Sequence, residues 1–168
     1  MDRNVDGEKL YIWRAESEAG TEELASRLAG MAWPGMMLAL DGELGAGKTR
    51  FARAFARALG VAGNVNSPTF TIIKEYEGGT LPFYHMDMYR ISPEEAEELG
   101  LDDYFFGDGV TLVEWASRIG PLLPQERLDL RLEVAGPVSR IITARPAGER
   151  YERLCREAGM DPVREGSA

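Results

Sequence analysis

Apolar and polar residues alternate in short runs along this chain, and the period of the pattern switches repeatedly between two and about 3.6. Leu10-Tyr11-Ile12-Trp13 reads as a short first strand. A helix follows, with Thr21 as its cap and Glu22 and Glu23 in its first turn, where acids suit the helix dipole. Leu24, Ala25, Leu28 and Met31 form its apolar face. Met36-Met37-Leu38-Ala39-Leu40 is an unbroken apolar run of strand length, and Phe51, Ala52, Phe55, Ala58 and Leu59 then recur at helical spacing until Gly60. Thr69 to Tyr76 and Leu81 to Ile91 alternate and are rich in β-formers. Glu77-Gly78-Gly79-Thr80 turns between them, which predicts an antiparallel hairpin inserted after the first βα unit.

Ser92-Pro93-Glu94-Glu95 combines a capping box with proline at the first helical position and starts a short helix that ends near Gly100. Val110-Thr111-Leu112-Val113 is a buried-type strand ending in Glu114. Leu128 to Val134 and Arg140 to Ala144 are two further strands joined by Ala135-Gly136-Pro137, and a helix runs from about Gly148 to Ala158. The tail from about Asp161 to Ala168 is polar and expected to fray.

Between the apolar strand and the helix that follows it lies Gly42-Glu43-Leu44-Gly45-Ala46-Gly47-Lys48-Thr49, which fits the phosphate-loop pattern G-x-x-x-x-G-K-[ST]. Glycines let successive N–H groups turn toward phosphate oxygens, and the helix N-terminus adds the positive end of its dipole. Lys48 is placed to reach the β/γ-phosphates and the Thr49 hydroxyl to ligate Mg²⁺. The motif therefore points to a nucleoside triphosphate site. With it, the element pattern predicts an α/β fold: a P-loop NTPase-like three-layer sandwich whose mixed sheet has a parallel core and antiparallel additions. The chain is expected to form a single domain over residues 1–160.

Composition narrows the function classes. The 168 residues are 44% hydrophobic and 28% charged, the balance of an ordinary globular domain. No apolar run approaches the roughly 20 residues that span a bilayer, and residues 1–9 lack the apolar segment of a signal peptide. The lone cysteine, Cys155, cannot close an internal disulfide, so the expected compartment is a reducing cytoplasm. A net charge of −9 argues against independent nucleic-acid binding, although not against a complex whose other members hold the nucleic acid.

A phosphate loop also needs a carboxylate for the metal and a group that orients the attacking atom. Glu114 closes an apolar strand, an unfavourable place for a charge without a task. Asp87 shares an alternation face with Phe83, His85 and Tyr89, which suits either a site acid or an acid on an exposed strand face. His85, the only histidine, reads as a satisfied structural residue. Asn66-Ser67-Pro68-Thr69 fits either a mobile loop presenting a hydroxyl to a phosphate or a turn that positions the next strand.

GELGAGKT, NVNSPTFTIIKEY, FYHMDMYRI, EELGLDDYF and LVEW, in this order and at these separations, resemble the bacterial TsaE family from about Thr21 to Arg118. That resemblance implies a small P-loop ATPase of the machinery that makes threonylcarbamoyladenosine at position 37 of tRNAs reading ANN codons. The implied partner is a TsaB–TsaD complex, with tRNA met only through it, and the implied cofactors are ATP and Mg²⁺. Carried over by position, Gly42, Gly45, Ala46, Gly47, Lys48 and Thr49 become the phosphate cradle, and Thr49 and Glu114 the Mg²⁺ site. Lys48, Asp87 and Glu114 become the catalytic set, Thr69 falls on a switch-like loop, and Trp115 lies near the nucleotide. Glu18 and Thr21 fall where the family's N-terminal segment meets the base.

Arg50, Arg53 and Arg57 recur at helical spacing, a basic stripe suited to a solvated face or to a partner contact. Two other function classes use the same parts. A small-molecule kinase shares the loop and can set Asp87 against an acceptor hydroxyl, but no clustered arginines after Glu114 suggest a lid. A non-catalytic module, in which nucleotide orders a docking face, is the other.

Overall fold

The computed structural model describes residues 9–66, 68, 72–77 and 79–163. Its strands are β1 (Leu10–Ala15), β2 (Met37–Gly42), β3 (Ile73–Tyr76), β4 (Phe83–Asp87), β5 (Val110–Glu114), β6 (Arg127–Val134), β7 (Arg140–Ala147) and β8 (Asp161–Val163). They form one sheet in the order β3-β4-β5-β2-β6-β7-β1-β8. The central strands β4, β5, β2 and β6 run parallel, while β3 at one side and β7, β1 and β8 at the other pair antiparallel. The predicted α/β class, with a parallel core and antiparallel additions, is the one observed.

Helices α1 (Glu18–Gly30), α2 (Lys48–Ala58), α3 (Pro93–Glu97), α4 (Leu101–Phe105) and α5 (Glu149–Glu157) cover the sheet on both sides. Strand β2 shows why, since both of its faces are buried and its alternate residues serve different cores. Leu38 and Leu40 join Leu24, Leu28, Phe51, Phe55 and Leu154 under α1, α2 and α5. Met37 and Ala39 join Met86, Met88, Ala96, Leu101 and Phe105 under α3 and α4. An unbroken apolar run is the sequence signature of such a strand. Phe51 and Phe55 are fully buried, and each contributes on the order of 1.5–3 kcal/mol relative to exposure.

Local chemistry sets most element boundaries, but three expectations need correction. Thr21 does not cap α1. The helix starts about one turn earlier, where the Ser17 side chain accepts from the Gly20 N–H and Trp13 Nε1 donates to the Gly20 carbonyl. Thr21 is consequently inside the helix and buried. The second hairpin strand is shorter than its alternation suggested, running over Phe83–Asp87, while the first ends at Tyr76 as expected and residues 69–71, at its expected start, lie outside the described residues. The polar tail is not frayed over Asp161–Val163, which pairs with β1 in the register Leu10↔Val163, Tyr11↔Pro162 and Ile12↔Asp161. An edge strand tolerates a proline and needs only one buried side, so it lacks the apolar signature of an interior strand.

Other expectations hold closely. The capping box at Ser92 and Glu95 is formed with both hydrogen bonds, and β5 spans Val110–Glu114. Beyond Gly100, whose φ of +68° turns the chain, lies α4, an element that the residue pattern does not signal. Nor does the pattern signal the 3-10 segment over Ala116–Leu122.

Candidate functional site

The parallel strands end together, and their carboxyl ends form the site. Glu114 on β5 is in register with Leu40 on β2 and with Asp87 on β4. In-register residues of parallel neighbours project to the same side of the sheet, so both carboxylates face the layer that contains α2. Asp87 is 6% exposed and Glu114 2%, burial that a carboxylate tolerates only with partners.

Strand β2 ends at Gly42, which pairs with Leu132 of β6. A Cβ at Gly42 would lie 2.5 Å from the Leu132 carbonyl oxygen, so only glycine permits this approach. The loop then curls through Gly45 (φ +85°) and Gly47 (φ +108°), and the Ala46 N–H donates to the Glu43 carbonyl at 3.0 Å. Lys48 opens α2 but folds back, donating from Nζ to the Gly42 carbonyl at 2.6 Å and the Glu43 carbonyl at 3.0 Å. The same ammonium sits 4.2 Å from the centre of the Trp115 ring. Burial draws its pKa below the ordinary lysine value, while the negative charges of Glu114, Asp41 and Asp87 oppose that shift.

Glu114 is gripped from two sides. The Thr49 hydroxyl donates to it at 3.1 Å and 3.3 Å to its two oxygens, and His85 Nε2 lies 2.6 Å from Oε2. His85 is fully buried, and its Nδ1 has no hydrogen-bond partner. The satisfied structural histidine expected from pattern is therefore corrected: one ring nitrogen holds a site carboxylate and the other is unpaired. Asp87 Oδ1 accepts from the Tyr89 N–H at 2.9 Å, a turn that ends β4 and sets the Tyr89 ring 4.8 Å from that of Trp115. Trp115 itself adopts a left-handed conformation (φ +58°), rare for a bulky residue, where β5 breaks into the 3-10 segment.

A cleft of about 640 Å³ opens above these groups. It is lined by Gly45, Ala46, Gly47, Lys48, Thr49, Asp87, Glu114 and Trp115, with Glu18 and Thr21 contributed by α1. Gly42 does not line it; its role is the close approach to β6 and the carbonyl offered to Lys48. Thr69 and Ser67 lie outside the described residues. Of the basic stripe, Arg50 pairs with Glu18 and Glu22 and so ties α2 to α1, and Arg53 donates to the Val65 carbonyl. Arg140, Val138, Tyr89 and Arg90 also line the cleft, and no residue pattern signals them as site residues. Arg140 lies 94 residues beyond the Ala46 carbonyl it contacts, a link no spacing signals.

Chemically, the loop offers backbone amides and a helix N-terminus to anionic oxygens. Among the described residues no cluster of three or more His, Cys, Asp or Glu side chains is arranged to hold a metal. What the chain offers a cation is one hydroxyl and one carboxylate, Thr49 and Glu114, with Asp87 in register beside them. That set fits Mg²⁺, which keeps several waters and is typically held by one or two carboxylates together with substrate phosphates.

Comparison with known proteins agrees with this geometry. The family profile described as "Threonylcarbamoyl adenosine biosynthesis protein TsaE" matches residues 15–142, well over half of the chain. This chain belongs to the TsaE family. A Bacillus subtilis (strain 168) relative named "tRNA threonylcarbamoyladenosine biosynthesis protein TsaE" is 54% identical over 149 residues, covering 89% of this chain and 94% of that protein. A Streptomyces coelicolor TsaE of the same name is 40% identical over 137 residues, covering 77% and 92%. The crystal structure of Bacillus subtilis YdiB superposes with a TM-score of 0.80 at 48% identity, covering 90% of this chain and 95% of that one. The family match thus extends beyond the five motifs to residue 142, and so includes β6 and the start of β7. Among the described residues no helix is long and apolar enough to cross a membrane.

Proposed function

We propose that this TsaE-family protein is the ATP-binding and ATP-hydrolysing component of the cytoplasmic machinery that forms threonylcarbamoyladenosine at position 37 of tRNAs reading ANN codons. Its hydrolysis resets a TsaB–TsaD complex between turnovers, and tRNA is met through that complex. The relatives' names support the pathway. The observation that supports the activity is the convergence of Thr49, Glu114 and Asp87 at the mouth of a phosphate loop.

Each residue has a task in this reading. The loop amides and the α2 N-terminus bind the phosphates. Lys48 leaves the Gly42 and Glu43 carbonyls and moves to the phosphate oxygens, which replace two neutral acceptors with charged ones. Thr49 and Glu114 would hold Mg²⁺, which would supply positive charge to offset that of the phosphates. His85 keeps the Glu114 carboxylate in place from behind. Asp87 accepts a hydrogen bond from the attacking water and orients it, and Trp115 closes one wall of the cleft.

The test is ATP hydrolysis by the purified protein, alone and with its cognate TsaB–TsaD pair and tRNA. Slow basal turnover that rises strongly with the pair is expected. Lys48→Ala should lose ATP binding, and Glu114→Ala should lose hydrolysis and Mg²⁺ retention. Hydrolysis indifferent to the pair would remove the proposed partner, and a Lys48→Ala protein with intact ATP affinity would remove the site.

A further inference from the structure

Arg140 is the first residue of β7, and its guanidinium spans two segments far apart in sequence. Nε donates to the Ala46 carbonyl at 2.9 Å and Nη2 to the Gly45 carbonyl at 3.2 Å. Nη1 donates to the carbonyls of Gly136 and Ser139, at 3.1 Å and 2.8 Å, in the β6–β7 turn. All of these acceptors are backbone oxygens. The side chain therefore clamps the phosphate loop to the hairpin that ends the neighbouring strands.

The consequence follows from peptide geometry. In a trans peptide the carbonyl and the next N–H point in opposite directions. Holding the Ala46 carbonyl thus fixes the direction of the Gly47 N–H, and holding the Gly45 carbonyl fixes that of Ala46. The Ala46 N–H is also taken by the Glu43 carbonyl, so this peptide is anchored at both ends. A loop rich in glycine has little stiffness of its own, and amides that must meet phosphate oxygens need a fixed direction before binding. The planar fork of arginine holds two neighbouring carbonyls at once, which a lysine ammonium does not match.

We propose that Arg140 is a positioning residue that pre-sets the phosphate loop for its anionic ligand, and that through it the 135–139 turn is mechanically linked to the loop. The proposal rests on the nucleotide reading of the site.

The experiment compares the full-length wild type with Arg140→Met and Arg140→Lys. Amide hydrogen exchange is read on peptides covering residues 43–48 without nucleotide, and Mg²⁺–ATP affinity by titration calorimetry. Both variants should exchange roughly ten times faster or more in the loop while exchange in β2, β5 and β6 stays unchanged. Both should bind ATP roughly 10- to 100-fold more weakly, the scale of one hydrogen bond to a charged group. Full affinity in Arg140→Lys would mean that charge and not the fork matters, which overturns the proposal. Wild-type affinity and loop exchange in Arg140→Met would overturn it as well. If the wild type itself bound no nucleotide, the reading of the site would fall first and the proposal with it, an outcome distinct from a binding wild type with indifferent variants.

Discussion

Replacing Gly42 with alanine tests whether the phosphate loop is seated by backbone contact between β2 and β6. The new Cβ would stand 2.5 Å from the Leu132 carbonyl oxygen and 3.3 Å from the Ala46 Cβ. Neither neighbour is a flexible side-chain end, and Leu132 is the ladder partner of Gly42, so relief requires the strands to separate. Crowding of this kind costs about 1–3 kcal/mol. The φ of +153° at Gly42 adds about 1–3 kcal/mol of backbone strain for any L side chain. Gly45→Ala is the internal comparison: φ is +85°, but no atom beyond its chain neighbours lies within 4 Å of the added Cβ, leaving about 1–2 kcal/mol of strain alone. With about 2–4 °C per kcal/mol for a domain of this size, Gly42→Ala should melt roughly 5–20 °C below wild type and Gly45→Ala roughly 2–8 °C below. Thermal unfolding followed by circular dichroism reads both. A Gly42→Ala protein melting within about 2 °C of wild type, or less harm there than at Gly45, would refute the steric account.

Two further outcomes follow from buried groups. His85→Phe keeps an aromatic ring beside Phe83 but deletes the 2.6 Å contact with the buried Glu114 carboxylate; urea unfolding should show a loss of about 1.5–3 kcal/mol, and an unchanged midpoint would mean that the contact carries no stability. Burial pushes the Cys155 thiol up to about 12, so at pH 8 only about one thiol in ten thousand is ionised. A thiol reagent should therefore label the native protein roughly a thousandfold more slowly than the urea-unfolded chain, where the pKa returns to about 8.5, and comparable rates would contradict that burial.

Much of the site is legible in the amino-acid sequence alone. The phosphate loop is a contiguous stretch whose spacing reflects local backbone demands, so Gly45, Gly47, Lys48 and Thr49 announce themselves. Glu114 stands out because a charge that ends an apolar strand is costly without a partner. Asp87 is open on pattern alone, and the pairing of β4 with β5 sets it in register with Glu114. Thr21 misleads as a cap because serine and threonine both cap helices, and the packing of Trp13 and Ser17 around Gly20, not propensity, chooses between them.

Periodicity, caps and loop spacing are short-range effects, so the chain by itself determined its α/β character, its phosphate loop and most element boundaries. Which strands lie side by side is a matter of long-range pairing, and only the tertiary structure decided it. That order brings His85 onto Glu114, stations Arg140 behind the loop and recruits the polar Asp161–Val163 segment as an edge strand. These contacts join residues too far apart in sequence for any local pattern to encode, because they exist only once the two sheet faces have been buried.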